Sequence, residues 1–252
     1  MVELSEGLSP TTVNHLHAVL HRALRQAVRW ELVGRNVTES VDPPRNARSE
    51  PEALTPEYSR RFLDAAKGDS LEALYVLAIM TGMRQGELLG LHWRDVNLDQ
   101  ETLQIRSQLQ RGRTLGEPKT AKSRRQISLP PLAVDALRRH YGRQLKERVE
   151  AGPEWIESDL VFCNAKGNPI NPSNLRSRSF IPLLKNADLP LIRFHDLRHT
   201  SATLLLGLGT NPKIVQEILG HSQISVTMDV YSHVLPTMQR DAMTDLNNLL
   251  IA

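Results

Sequence analysis

The chain has 252 residues, 40% hydrophobic, 23% charged and only 4% aromatic, with one cysteine, Cys163. That composition fits a globular chain of one large domain or a domain with a smaller piece; it excludes an internal disulfide, sets a cytoplasmic, reducing expectation and argues against an aromatic-rich β-sandwich. The longest apolar run, residues 74–80, is far too short to cross a bilayer, and no signal-peptide layout opens the chain. Net charge is only +3, but its placement is uneven: residues 106–125 hold Arg106, Arg111, Arg113, Lys119, Lys122, Arg124 and Arg125 against the single acid Glu117. Such a strip on a nearly neutral chain suits a polyanion, although a solvated basic hairpin is the blander reading of charge alone.

Ser9-Pro10 is a helix start, and Val13, Leu16, Leu20, Leu24, Ala27 and Val28 follow at helical spacing, with Gly34 as the expected C-terminal cap. Residues 36–52 carry Asp42-Pro43-Pro44 and Glu50-Pro51 and read as an interdomain linker. The division is therefore 1–48 and 52–252. One helix cannot bury its own apolar face, so the first unit is expected to be part of a domain completed elsewhere.

Thr55-Pro56 opens the second unit, with helices expected over 56–67 and 70–81. The latter is apolar on nearly all sides and so belongs at the centre; Gly82 ends it, and a short helix carrying Glu87, Leu88 and Leu91 follows Arg84. Alternation in Leu103-Gln104-Ile105-Arg106 and Gln126-Ile127-Ser128-Leu129, about a turn at Gly112, predicts a small antiparallel sheet of two or three strands. A helix runs from Pro130-Pro131 to Val149, and Leu160-Val161-Phe162 reads as a buried strand. Helices recur over 172–185, 196–207 and 211–219, then a short one around Tyr231 and a last one over 236–250. The fold class is mainly α with a small antiparallel β-sheet (α+β).

The C-terminal third concentrates reactive side chains. His195 and Arg198 lie three apart at a helix start, on one face and beside free N–H groups that favour a phosphate. Gly220 is suited to end the next helix in a left-handed conformation and release His221 into a defined corner, ten residues before Tyr231. Each residue alone is unremarkable: a lone Tyr on an amphipathic helix is more often core, and a lone Arg more often surface.

The ordered set resembles the tyrosine recombinase (phage integrase) family of site-specific DNA recombinases. His195-x-x-Arg198, Leu219-Gly220-His221 and Tyr231 look like its signature, and residues 81–88, Thr-Gly-Met-Arg-Gln-Gly-Glu-Leu, look like its first box. Pro118-Lys119-Thr120, ahead of Ser123-Arg124-Arg125, is similar to the β-hairpin that carries the family's catalytic lysine. The resemblance covers roughly residues 52–240, while residues 9–45 resemble the end of a core-binding domain. It implies a tyrosine-recombinase catalytic domain that cleaves and rejoins double-stranded DNA through a 3′-phosphotyrosine. Tyr231 would be the nucleophile, Arg84 and Arg198 the clamps on the non-bridging oxygens, His195 the acid–base partner, His221 a hydrogen-bond donor and Lys119 the acid for the leaving 5′ oxygen. Glu87 would support an arginine, and Arg111, Arg113, Lys122, Arg124 and Arg125 would contact DNA. Lys122 stands close enough to be the alternative acid. No metal or cofactor is implied, because the arginines take the place of metal ions. Assembly as a homotetramer on DNA, from monomers when free, is also implied. The amphipathic tail after Tyr231 would pack on a neighbour or fold back on its own domain. With only part of a core-binding domain and no arm-binding domain, weak, salt-sensitive binding by this chain alone is expected.

Three other readings compete. Residues 197–219 have the outline of a non-catalytic helix-turn-helix DNA-binding module. His195 and His199 have the i, i+4 spacing of a zinc pair, but without the Glu of the metalloprotease motif and with Arg198 between them. A type IB topoisomerase would share the chemistry, nicking and resealing a single duplex.

Overall fold

A computed structural model describes residues 7–44, 52–110, 112, 114–117, 124–228, 243–244 and 247–251. The chain divides into two compact units, Met1–Glu50 and Pro51–Ala252.

In the first unit, Ser9 caps helix α1 (Pro10–Arg29) by accepting the Thr12 N–H, with Pro10 in the first turn. The helix ends at Trp30, short of the expected Gly34 cap, and Glu31 takes the left-handed conformation (φ 58°) that glycine usually supplies. The start of the expected linker is also structured. A 3₁₀ turn (Val37–Ser40) folds back on α1, where buried Asn36 donates to the His21 carbonyl at 3.2 Å and the His21 Nδ1 meets Thr38 Oγ1 at 2.9 Å. Polar groups hold this hairpin; α1 buries none of its side chains, and Leu16, Val19 and Leu20 are exposed.

The second unit is built around α3 (Glu72–Thr81), whose side chains are buried on nearly every side as an all-apolar helix must be. Around it lie α2 (Pro56–Ala65), α5 (Pro131–Ala151) and α8 (Asp196–Gly207). Phe62, Tyr75, Phe180 and Phe194 meet edge-on and tilted at centroid distances of 5.3–6.5 Å. The expected helix over 172–185 has three parts: α6 (Pro172–Asn174), a π-helical stretch (Leu175–Phe180) and α7 (Ile181–Asn186). The wider turn leaves Leu175 and Phe180 both buried.

Two small sheets complete the unit. Strands β1 (Val96–Asn97), β2 (Thr102–Ile105) and β5 (Arg125–Ser128) form an antiparallel sheet in the order β1-β2-β5, with buried Leu103 opposite Ile127 and Ile105 opposite Arg125. Strands β3 (Gln108–Leu109) and β4 (Leu115–Gly116) pair separately. The expected strand over 160–162 is only a single bridge, Leu160 to His92, because the chain turns away after two backbone bonds with residues 91–93. No helix among the described residues is long and apolar enough to cross a membrane.

Candidate active site

Four elements converge on one corner of the second unit. Gly82 ends α3 in the left-handed conformation (φ 59°). A Cβ there would fall 2.2 Å from Leu219 Cδ2, so the close approach of α3 to α9 (Pro212–Leu219) requires glycine. The turn aims the Gly82 carbonyl at the first turn of α8, where it accepts from Arg198 Nη1 at 2.7 Å. Arg198 is buried, and among the described residues its Nη2 has no hydrogen-bond partner. A buried donor left unmatched costs about 1–3 kcal/mol, so this is a group poised for an acceptor. Burial, followed by repulsion from Arg84, lowers the Arg198 pKa to about 9, which leaves it charged at neutral pH.

Arg84 caps α4 (Gln85–Leu89), and Glu87 reaches back to accept its backbone N–H at 3.0 Å and its Nη1 at 2.7 Å. Arg84 Nη2 donates to the Gly220 carbonyl at 3.0 Å, bridging α4 to the corner after α9. Glu87 is 1% exposed. Burial alone would raise its pKa, but Arg125, and then Arg84, hold the carboxyl below its ordinary value. Both structural roles open to Glu87, arginine partner and helix-start acceptor, are thus filled at once.

Gly220 ends α9 in the left-handed conformation (φ 68°), as expected, and sends His221 into the corner. Buried Gln216 clips that turn from within α9: its Nε2 donates to the His221 carbonyl at 3.1 Å, while its own carbonyl accepts the His221 N–H at 3.1 Å. His221 Nδ1 lies 2.8 Å from the hydroxyl of Thr227, a fully buried residue on the helix over 224–228. With Nδ1 so engaged, Nε2 is the nitrogen left for a ligand. Burial, then Arg198 and Arg84, lowers the His221 pKa to about 3. His195 sits at the start of α8 with part of its ring exposed, and its centroid is 5.2 Å from that of His199. Desolvation of the remainder, then His199 and Arg198, lowers its pKa to about 4. Both histidines are therefore neutral at pH 7, surrounded by arginines.

Arg84, Glu87, His195, Arg198 and His221 are brought together. Arg125 joins them, which corrects the expectation of a DNA-contacting side chain: it is 8% exposed and paired with Glu87 at 3.1 Å. Arg124, the residue just before β5, is exposed and pairs with Glu117 at 2.6 Å. Tyr231, Lys119, Lys122, Arg111 and Arg113 lie outside the described residues, as does most of the segment expected to form the last helix, of which 243–244 and 247–251 are helical. Gln216 and Thr227 stood out in no motif, since neither has a spacing that distinguishes it from ordinary helix residues. Among the described residues, no group of three His, Cys, Asp or Glu is placed to hold a metal. The helix-turn-helix outline is present in α8 and α9, but the first turn of α8 aims Arg198 inward.

The site is a cationic set of arginines and neutral histidines of the kind that grips a phosphodiester, on a helical catalytic domain with a small sheet. The phage integrase family model matches residues 52–238. A tyrosine recombinase XerC-like protein of Caldanaerobacter subterraneus subsp. tengcongensis is 33% identical over 98% of this chain and 68% of its own length. An integrase of Streptomyces ambofaciens is 35% identical over 94% of this chain and 64% of its own length. Among solved structures, the Tn1549 transposon integrase in complex with a circular-intermediate DNA superposes with a TM-score of 0.78 at 27% identity, covering 96% of this chain and 81% of that one. The chain belongs to the phage integrase family: it is a site-specific DNA recombinase of the tyrosine class, an enzyme that cleaves and rejoins DNA. The topoisomerase and simple DNA-binding readings are not favoured by these relatives.

Proposed function

We propose that strand cleavage follows from the corner just described. Arg84 and Arg198 donate to the non-bridging oxygens of the scissile phosphate and stabilise the charge that grows on them as phosphorus becomes five-coordinate. The Tyr231 oxygen attacks phosphorus, forming the Tyr–O–P bond while the bond to the 5′ oxygen breaks. The phenol, with an ordinary pKa of about 10, needs an acceptor for its proton. His195, neutral at pH 7, is that acceptor. His221 donates from Nε2 to a non-bridging oxygen, and Lys119 (or Lys122 beside it) gives a proton to the departing 5′ oxygen. A free 5′ hydroxyl attacking the phosphotyrosine reverses every step, so rejoining needs no ATP. Glu87 orients Arg84. The single observation that carries this reading is the unmatched buried donor of Arg198 facing the other arginine and two uncharged histidines.

Arg111, Arg113, Lys122 and Arg124 are proposed to follow the DNA backbone along the hairpin, and residues 1–48 to supply part of a core-binding domain. The working assembly is a homotetramer on two duplexes, because a complete exchange needs four strand cuts.

The test is a duplex carrying the recombination site with a nick beside the scissile phosphate, which traps the covalent intermediate. Wild type is expected to form a denaturation-resistant adduct and Tyr231→Phe none. Equal adduct from Tyr231→Phe would show that another group is the nucleophile.

A further inference from the structure

The expectation for Arg125 was a grip on DNA, and its surroundings suit a different task. β5 begins at Arg125 and places it on the same face as buried Ile127, whereas Arg124 lies just before the strand. Arg124 is 55% exposed, whereas Arg125 turns inward. Its Nε donates to the Ile218 carbonyl at 2.6 Å, one of the orphan acceptors at the end of α9, where the helix dipole also favours a cation. Its two terminal nitrogens donate to the two oxygens of Glu87 at 3.3 and 3.1 Å. The planar guanidinium thereby fastens the C-terminus of α9 to the N-terminus of α4, a geometry that the single ammonium of a lysine cannot reproduce.

Gly220 lies directly over this fork. A Cβ there would fall 2.8 Å from Arg125 Nη1 and 3.0 Å from its Cζ. From the other side Arg84 Nη2 holds the Gly220 carbonyl. The residue before His221 is thus gripped between two arginines that share one carboxylate. Arg125 also begins β5, six residues along the chain from Lys119.

We propose that Arg125 is a positioning residue for cleavage: it seats the Ile218–Gly220 turn on Glu87 and so sets where His221 meets the phosphate, coupling β5 to the histidine corner. This role rests on the reading of His221 and Lys119 given above.

The test compares Arg125→Lys, Arg125→Met and Arg124→Met in the 252-residue chain. Three readouts are taken: the His221 ring Cε1–H NMR signal without DNA, the salt dependence of affinity for a random-sequence duplex, and single-turnover cleavage of the nicked recombination site. Arg125→Lys and Arg125→Met are expected to move the His221 signal and slow cleavage about tenfold to a hundredfold at saturating protein, as sub-ångström to ångström misplacement does, while leaving the salt slope unchanged. Arg124→Met is expected to lower the slope by about one and leave the His221 signal in place. If Arg125→Met fails to fold, the charge-conserving lysine variant decides. An unmoved His221 signal together with a reduced salt slope in Arg125→Met would make Arg125 a phosphate contact and overturn the proposal, as would cleavage by Arg125→Lys at the wild-type rate. A wild-type chain that forms no Tyr231-dependent adduct would instead overturn the assignment of the site, and this role with it.

Discussion

Arginine does two different jobs in this molecule, and the contrast between Arg125 and Arg124 is its sharpest form. One peptide bond separates a guanidinium closed over a buried carboxylate from one standing in solvent beside Glu117. The inner set, Arg84, Arg125 and Arg198, surrounds Glu87, and the arginines repel one another; in the function proposed above a phosphate would offset that repulsion. The outer set, which includes Arg106 and Arg124, is largely exposed, where charges are screened by water and salt; in the function proposed above such charges would add affinity by releasing counterions condensed on the DNA. The same residue type therefore reads as chemistry inside and as affinity outside, and burial is what divides the two.

Breaking the inner set should have the largest effect. Arg198→Ala is expected to slow single-turnover cleavage by about a hundred- to a thousandfold, the scale for removing one transition-state donor, with DNA affinity nearly unchanged. Loss of affinity in step with the rate would place Arg198 in the outer class. Next comes Glu87→Gln, which removes the acid paired with Arg125. Breaking a buried pair from one side costs about 3–5 kcal/mol, so the urea midpoint should fall markedly, with Arg84 softening that loss. An unchanged midpoint would mean that the inner arginines need no counterion.

Acid gives a smaller, graded effect. His140, buried with Nε2 against the Val161 carbonyl, has a pKa lowered to about 4 by burial, and His195 and His221 are lowered as well. Unfolded histidines titrate near 6.5, so between pH 6.5 and 4 the unfolded chain binds more protons than the folded one. Stability is full above that window and is lost as pH falls through it, by on the order of 2 kcal/mol for His140 alone at pH 4.5. Denaturant midpoints at pH 7 and 4.5 check this; His140→Gln should flatten part of the difference, and Arg124→Met none of it. The smallest effect belongs to the outer set. Arg106→Ala should weaken binding of any duplex a few-fold at low salt, lower the salt slope by about one and leave the cleavage rate at saturation alone.

The sequence made much of this legible wherever a signal is local. The all-apolar run of α3, the helix stops at Gly82 and Gly220, and the His195/Arg198 spacing each follow from periodicity or backbone sterics within a few residues, and each stands where it was expected. What stayed hidden depends on partners far along the chain. Arg125 sat in a basic run and shared its appearance with Arg124; only the strand's facing and Glu87, 38 residues earlier, separate them. Thr227 and Gln216 act through single hydrogen bonds to His221 that no spacing announces. The π-helical stretch at Leu175–Phe180 was invisible for a different reason: its apolar positions also fit an α-helix, and packing chose the wider turn.

The bond from Arg198 to the Gly82 carbonyl spans 116 residues of chain, and that from Arg84 to Gly220 spans 136. Contacts of such long range form late, because closing a large loop costs entropy before the contact returns anything. As the chain leaves the ribosome, Arg84 emerges long before the two elements that complete its surroundings. A partly made copy that ends before residue 198 therefore lacks both of these bonds and the corner they assemble.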